Sequence, residues 1–196
     1  MKNTKTKNMV MIAMLGAIAA VLMVLEISVP LAPTFIKLDF SDLPIILGGF
    51  LMGPVAGVCV AAIKVLINLL LNGTSTMYVG EFANFALAAA YVLPASIIYA
   101  KQKNKKSAIK GLVVSVIVTS LFAILLNVYV VFPMYAKLFH MSFADIVGMV
   151  SATNPLVKST FSMVVFSLLP FNLFKYSLVS VITMLTYKKL SHWFKK

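Results

Sequence analysis

The chain contains no arginine: its 17 basic residues are all lysine, set against 5 acidic residues. That absence argues against a nucleic-acid surface, where the guanidinium fork is favoured for bidentate contacts to phosphate and base edges. The formal charge of +12 gathers instead at the ends of apolar runs, where it reads as membrane topology. Only one cysteine is present, Cys59, so no intrachain disulfide forms; its place inside an apolar run makes it a small buried hydrophobe. The two histidines, His140 and His192, fall outside the apolar runs, and HExxH, GxSxG and Walker A motifs are all missing. No catalytic constellation is left, and the chain cannot hydrolyse ATP by itself.

Charged residues make up 11% of the chain and hydrophobic ones 61%, with a mean hydropathy of +1.01. Soluble domains are about half apolar, so this is an integral membrane protein. Its apolar runs have the ~20-residue length of membrane helices and lack the ~10-residue alternation of a membrane barrel. The fold class is therefore all-α, a single polytopic helical bundle in the lipid bilayer, with no nucleic acid among its partners.

Lys2, Lys5 and Lys7 precede a first span over 9–29. Ala17-Ile18-Ala19 could pass for a signal-peptide cleavage site, but the apolar run continues past it, which favours an uncleaved span. Ala13, Gly16, Ala17 and Ala20 form a small-residue face with AxxxA spacing, suited to close helix approach within this chain or with another. The segment 30–42, PLAPTFIKLDFSD, reads as a loop in which Asp42 caps the next helix and Pro44 sits in its first turn. Asp39, between Leu38 and Phe40, fits a solvated loop less well.

Residues 43–71 are too long for one ordinary span, and Gly53-Pro54 interrupts them. The lysine-rich stretches at 2–7, 101–110 and 188–196 should all be cytoplasmic, which requires an even number of crossings between each pair of them. Splitting at Gly53-Pro54 satisfies that parity. The sequence thus predicts six transmembrane helices, about 9–29, 43–53, 54–71, 81–100, 111–132 and 170–187, with both termini cytoplasmic. A short amphipathic piece at 143–150 precedes the last span, which starts at Pro170 after a re-entrant or surface segment. Tyr187 and Trp193 fit an interfacial anchor.

The most polar stretch between apolar runs is NGTSTMYVGEFANF, 72–85. With the loops at 30–42, 72–81 and 133–160 facing outward, Asn127, Asn172 and Lys175 fall near the same level, and a pocket open to the outside follows. Unpaired amides or ammonium groups in hydrocarbon are costly. Each asparagine can face a ligand or make an interhelical hydrogen bond. Glu81 is the expected counter-ion of Lys175, and Glu26 with Lys64 a second pair.

Four segments in order, KLDFSDLP (37–44), GTST with VGEFANF (73–85), LLNVYVVFPMY (125–135) and PFNLFK (170–175), closely resemble the riboflavin-specific substrate-binding (S) components, the RibU type, of energy-coupling factor (ECF) vitamin transporters. The resemblance spans nearly the whole chain. It implies riboflavin capture from outside the cell membrane, followed by docking to a membrane coupling protein (T component) and two ATPase subunits. It also implies ligand contacts from Asp39, Phe40, Tyr78, Val79, Gly80, Glu81, Asn84, Asn127, Asn172 and Lys175. Flavin chemistry agrees: an uncharged tricyclic ring with an amide-like edge and a polyol tail asks for apolar walls, to which Leu38, Phe40 and Tyr78 are suited, and for fixed donors and acceptors. Riboflavin is then a transported ligand, and no cofactor is expected. Docking to the coupling protein would use Ala13, Gly16, Ala17 and Ala20. A proton-coupled transporter working through Glu81 or Glu26, or an intramembrane lipid hydrolase, are the alternatives from other classes.

Overall fold

The computed structural model describes residues 2–29 and 36–190. The expected anchor at Trp193, the side chain of Tyr187, the lysines from 188 on and the first part of the 30–42 loop lie outside the described residues or side chains. Helix α1 (Lys2–Val24) leads into a short antiparallel hairpin, β1 (Ile27–Ser28) with β2 (Lys37–Leu38), in the register Ile27 to Leu38. Then come α2 (Asp42–Met52), α3 (Pro54–Asn72), α4 (Val79–Lys101), α5 (Lys105–Leu138), α6 (Phe143–Ser151) and α7, which starts at Thr160 and continues as Leu169–Leu190. Among the described residues, five helices are long and apolar enough to cross a membrane, and α2 is a shorter apolar helix.

Gly53 separates α2 from α3 with φ 99°, a region open to glycine, and Pro54 opens α3 where a missing N–H costs nothing. The two helices fold back as a hairpin about that glycine. Gly57 packs so close to Gly49 that an added Cβ would lie 3.1 Å from the Gly49 Cα, and Asp42 reaches Lys64. Both pairs are equidistant from Gly53. At 11 residues α2 is about 16 Å long, so its first residue stops at the level of Lys64, well below the Asn72 end of α3. The β1–β2 hairpin and residues 39–41 fill the missing depth.

Two prolines that read as helix boundaries are carried inside helices. The expected fifth span ends at Pro133, and the expected sixth starts at Pro170. Instead α5 runs through a π segment, Asn127–Val131, and continues as Phe132–Leu138, while α7 passes through a second π segment, Val164–Leu168, before Leu169. A π segment shifts the hydrogen-bond register by one residue just before each proline, so the missing N–H and the ring of the proline are accommodated without ending the helix.

Among the described residues the core has two large parts and a small third one of Leu38 with Phe171. Toward the lysine-rich α4–α5 turn, Ile45, Ile46, Phe50, Val60, Tyr91, Val92 and Tyr99 pack with Tyr176 and Val179. Phe50 stacks on Tyr99 at 4.5 Å, and Tyr91 donates or accepts a 2.8 Å bond with Ser180. Toward the β-hairpin end, Val79, Leu126, Phe132, Ile146, Met163 and Leu168 form the second part. Cys59 does not join either: it is exposed on the outer face of α3, not buried as its neighbours suggested.

The small-residue face of α1 is divided. Gly16 and Ala20 are buried, and a Cβ on Gly16 would come within 2.4 Å of Ile63 Cγ2 on α3, so these two form a close seam inside the chain. Ala13 and Ala17 are exposed on the bundle surface.

Candidate functional site

The turn that starts α4 is built by two threonine hydroxyls. Thr74 Oγ1 accepts from the backbone N–H groups of Thr76 (3.2 Å) and Tyr78 (3.0 Å). Thr76 Oγ1 accepts from Gly80 N–H at 3.0 Å and donates to Glu81 Oε2 at 2.7 Å. Thus threonine hydroxyls hold the turn before α4 and satisfy the Gly80 N–H that the helix start leaves unpaired. Met77 and Tyr78 both take positive φ, 49° and 67°, a conformation that costs non-glycine residues energy and collects at functional sites. A Cβ on Gly80 would sit 2.8 Å from Thr76 Oγ1, so glycine is needed there. Thr76→Val should lower thermal stability by about 1–2 kcal/mol and leave Glu81 free to turn, whereas Thr76→Ser should not. Thermal unfolding of the detergent-solubilised variants checks this.

Below the β-hairpin lies a closed ring of buried polar groups. Lys175 Nζ donates to Asp39 Oδ2 at 2.8 Å and lies 3.5 Å from Asp42 Oδ2. Asp42 Oδ1 receives Lys64 Nζ at 3.4 Å, Lys64 also donates to Ser41 Oγ at 3.0 Å, and the Ser41 hydroxyl and N–H both donate to Asp39 Oδ1. Two lysines are balanced by two aspartates, and all four side chains are buried. Desolvation raises the pKa of Asp39, but the ammonium groups of Lys175 and Lys64 outweigh it and hold its carboxyl at about 2.

These pairs replace the expected ones. Lys175 takes Asp39 and Asp42 in place of Glu81, because the loop dips into the bundle and brings its carboxylates to the depth of Lys175. Glu26 accepts from Lys37 across the two-stranded hairpin, and Lys64 goes to Asp42. Nor does Asp42 cap α2: it is the first helical residue, after Ser41, and its carboxylate is taken by the lysines.

Asn127 and Asn172 are buried, and each donates its amide N–H back along its own helix, Asn127 to Ala123 O at 2.7 Å and Asn172 to Leu168 O at 2.8 Å. Both asparagines sit next to the π segments, Asn127 at the first residue of one and Asn172 four residues after the last residue of the other. Leu38 packs on Phe171, which ties the hairpin to α7 just past its π segment. Val79 is a core residue, Tyr78 is exposed, and Phe40 is partly buried.

A cavity of about 620 Å³ opens at the β-hairpin end of the bundle. Of the sequence-predicted residues it brings together Asp39, Gly80, Glu81 and Asn84; Leu38, Phe40, Tyr78, Val79, Asn127, Asn172 and Lys175 are not in its wall. Lys175 stands behind it, bonded to Asp39. On its polar side sequence reasoning missed Asn68 and gave no individual role to Asn72, Ser75 and Thr76, which lie in the 72–85 polar stretch; on its apolar side it missed Tyr135, Phe139, Met141, Ile146 and Met149. The apolar group comes from the far end of α5, the turn after it and α6, which matches the short amphipathic piece expected at 143–150; none of these residues carried a ligand role in the sequence reading.

Comparison with known proteins gives a consistent picture. Residues 7–187 match the family model for the substrate-specific component of ECF transporters. The riboflavin transporter RibU of Staphylococcus aureus is 36% identical over 192 residues, covering 98% of this chain and 94% of that protein. The riboflavin transporter FmnP of Bacillus subtilis is 30% identical, with 98% and 96% covered. A solved structure of the S component of a bacterial ECF transporter superposes with a TM-score of 0.75 at 33% identity, covering 98% of this chain and 99% of the other.

Proposed function

Because the chain belongs to the substrate-specific components of ECF transporters, we propose that it captures riboflavin at the outer face of the cell membrane and delivers it through a T component driven by two ATPase subunits. The observation that carries this is the cavity. Its volume lies within the ~300–1,000 Å³ of small-molecule sites, and it joins an aromatic and methionine wall to amides and carboxylates, which matches an uncharged ring with a polar edge and tail. The α2–α3 hairpin about Gly53 supports the parity argument, giving six crossings with α2 as a half-depth one and both termini cytoplasmic. The cavity then faces outward.

Lys175 enters this site through its bond to Asp39, with Asn172 one helical turn before it on α7 and Asn127 on α5. With one amide N–H tied to its own helix, each asparagine keeps a carbonyl acceptor and a second N–H donor for the amide-like edge of the ring. Titration of the isolated protein with riboflavin, followed by quenching of flavin fluorescence, tests the assignment. Absence of binding would reject it.

Charge sets a further expectation. Among the described residues lining the cavity, Lys37 is the cation and is paired with Glu26, while Asp39 and Glu81 add negative charge. Lys175 is already committed to two aspartates. A phosphate group would find no free ammonium and would face carboxylates, so riboflavin should bind at least about tenfold more tightly than FMN, a difference of ~1.4 kcal/mol. Competition that ranks FMN first contradicts this charge distribution. Proton coupling through Glu26 or Glu81 is not favoured, since Glu26 is bound to Lys37 and Glu81 to Thr76.

A further inference from the structure

Helix α3 carries its polar side chains in one row. Lys64, Asn68 and Asn72 recur every four residues along an otherwise apolar helix, a spacing that keeps them on one face and climbs about 6 Å per step. Lys64 closes the buried ring, and the two asparagines continue from it along the cavity wall to the mouth. Neither lies in the segments that carry the family resemblance. Among the described residues neither amide has a hydrogen-bond partner, although each offers two donors and an acceptor and Asn68 is partly buried. A helix within hydrocarbon keeps such groups where they meet something polar.

Resting on the flavin reading above, we propose that Asn68 and Asn72 form the subsite for the polyol tail of the vitamin. The tail is a run of hydroxyls, each a donor and an acceptor, and a row of amides one helical turn apart runs alongside it. The ring goes to the apolar lining from α5 and α6, where Tyr135, Phe139, Met141, Ile146 and Met149 supply flat and adaptable contact. Specificity for the tail is then separable from affinity for the ring.

The test compares riboflavin with lumiflavin, which keeps the ring and has a methyl group in place of the tail. Full-length Asn68→Ala, Asn72→Ala and the double variant are titrated with both ligands by fluorescence quenching. Each single substitution should weaken riboflavin by about five- to tenfold, the loss expected when a polar ligand group is left unpaired, and the double variant should weaken it further. Lumiflavin should bind every variant within about twofold of wild type, since ring contacts show no coupling to a removed tail contact. Lumiflavin binding also reports that the variants are folded, and Asn72, exposed at the end of α3, is the substitution least able to disturb packing. Equal losses for both ligands would assign the row to packing and overturn the subsite, as would unchanged riboflavin affinity. A wild-type protein that binds neither ligand defeats the flavin reading and the subsite with it. One that binds both, with variants showing no difference between them, defeats the subsite alone.

Discussion

Lys175→Met should cost the isolated protein about 3–5 kcal/mol of stability, the range for breaking one partner out of a buried ion pair, and weaken riboflavin by a hundredfold or more, since ~1.4 kcal/mol is a factor of ten. The cause is the ring. Removing this ammonium leaves Asp39 and Asp42 facing Lys64 alone, with all of them buried. Asp39 also lines the cavity, so its displacement reaches the ligand directly. A double variant, Lys175→Met with Asp39→Asn, removes the pair as a neutral unit and should recover a good part of the stability while binding remains weak. That contrast separates charge balance from ligand contact. Thermal unfolding and flavin titration of the two variants are the measurements, and a single variant within about 0.5 kcal/mol of wild type would show the ring to be a bystander. The pH behaviour follows from the sign of the Asp39 shift. Its carboxyl is depressed from 3.8 to about 2, so its contribution is complete above 3.8 and is lost as pH falls through about 2. Between pH 5 and 8 the Asp39 link should leave stability unchanged.

The four charges of that ring, Asp39, Asp42, Lys64 and Lys175, were each visible in the sequence, yet their pairing was not. Pairing depends on depth, and the depth of Asp39 is set by a half-length α2 that lets the preceding loop descend to Lys64 and Lys175. Glu81 was the nearer guess only for a loop that stays at the surface. The split at Gly53 could be read, because a glycine followed by a proline has few other uses between apolar runs and charge parity demanded a turn. Pro133 and Pro170 misled, since a proline normally marks a helix boundary. What spares these two helices is a π segment, which leaves no mark in composition. The amides of Asn68 and Asn72 had a signal, their four-residue spacing from Lys64. For Asn68 it went unread because residues 54–71 average to an apolar span, while Asn72 was read only as the first residue of the polar stretch 72–85.

The face on α1 shows the same limit and sets up a sharp experiment. Successive residues turn by 100°, so Ala13 and Ala17 share one line and Gly16 and Ala20 another about 60° away. That arc is wide enough to serve two neighbours. The Gly16 line is filled by Ile63 of α3, while Ala13 and Ala17 remain on the bundle surface, where methyl-sized side chains let a second helix approach closely in lipid. We assign that exposed pair to the T component. Ala17→Trp should therefore reduce ATP-driven riboflavin uptake and co-purification of the T component by about tenfold or more, as bulk in a close-packed helix contact costs roughly 1–3 kcal/mol. Flavin affinity and thermal stability of the isolated protein should stay near wild type, because Ala17 lies about 9 Å along the helix from Met23, the first α1 residue in the cavity wall. Gly16→Leu, one residue away, should do the reverse. Its side chain collides with Ile63 Cγ2, already 2.4 Å from where a Cβ would stand, so the isolated protein should lose stability before any partner is added. If Ala17→Trp instead destabilises the isolated protein as Gly16→Leu does, the exposed pair packs within the bundle in the membrane, and the docking surface must be sought on another helix.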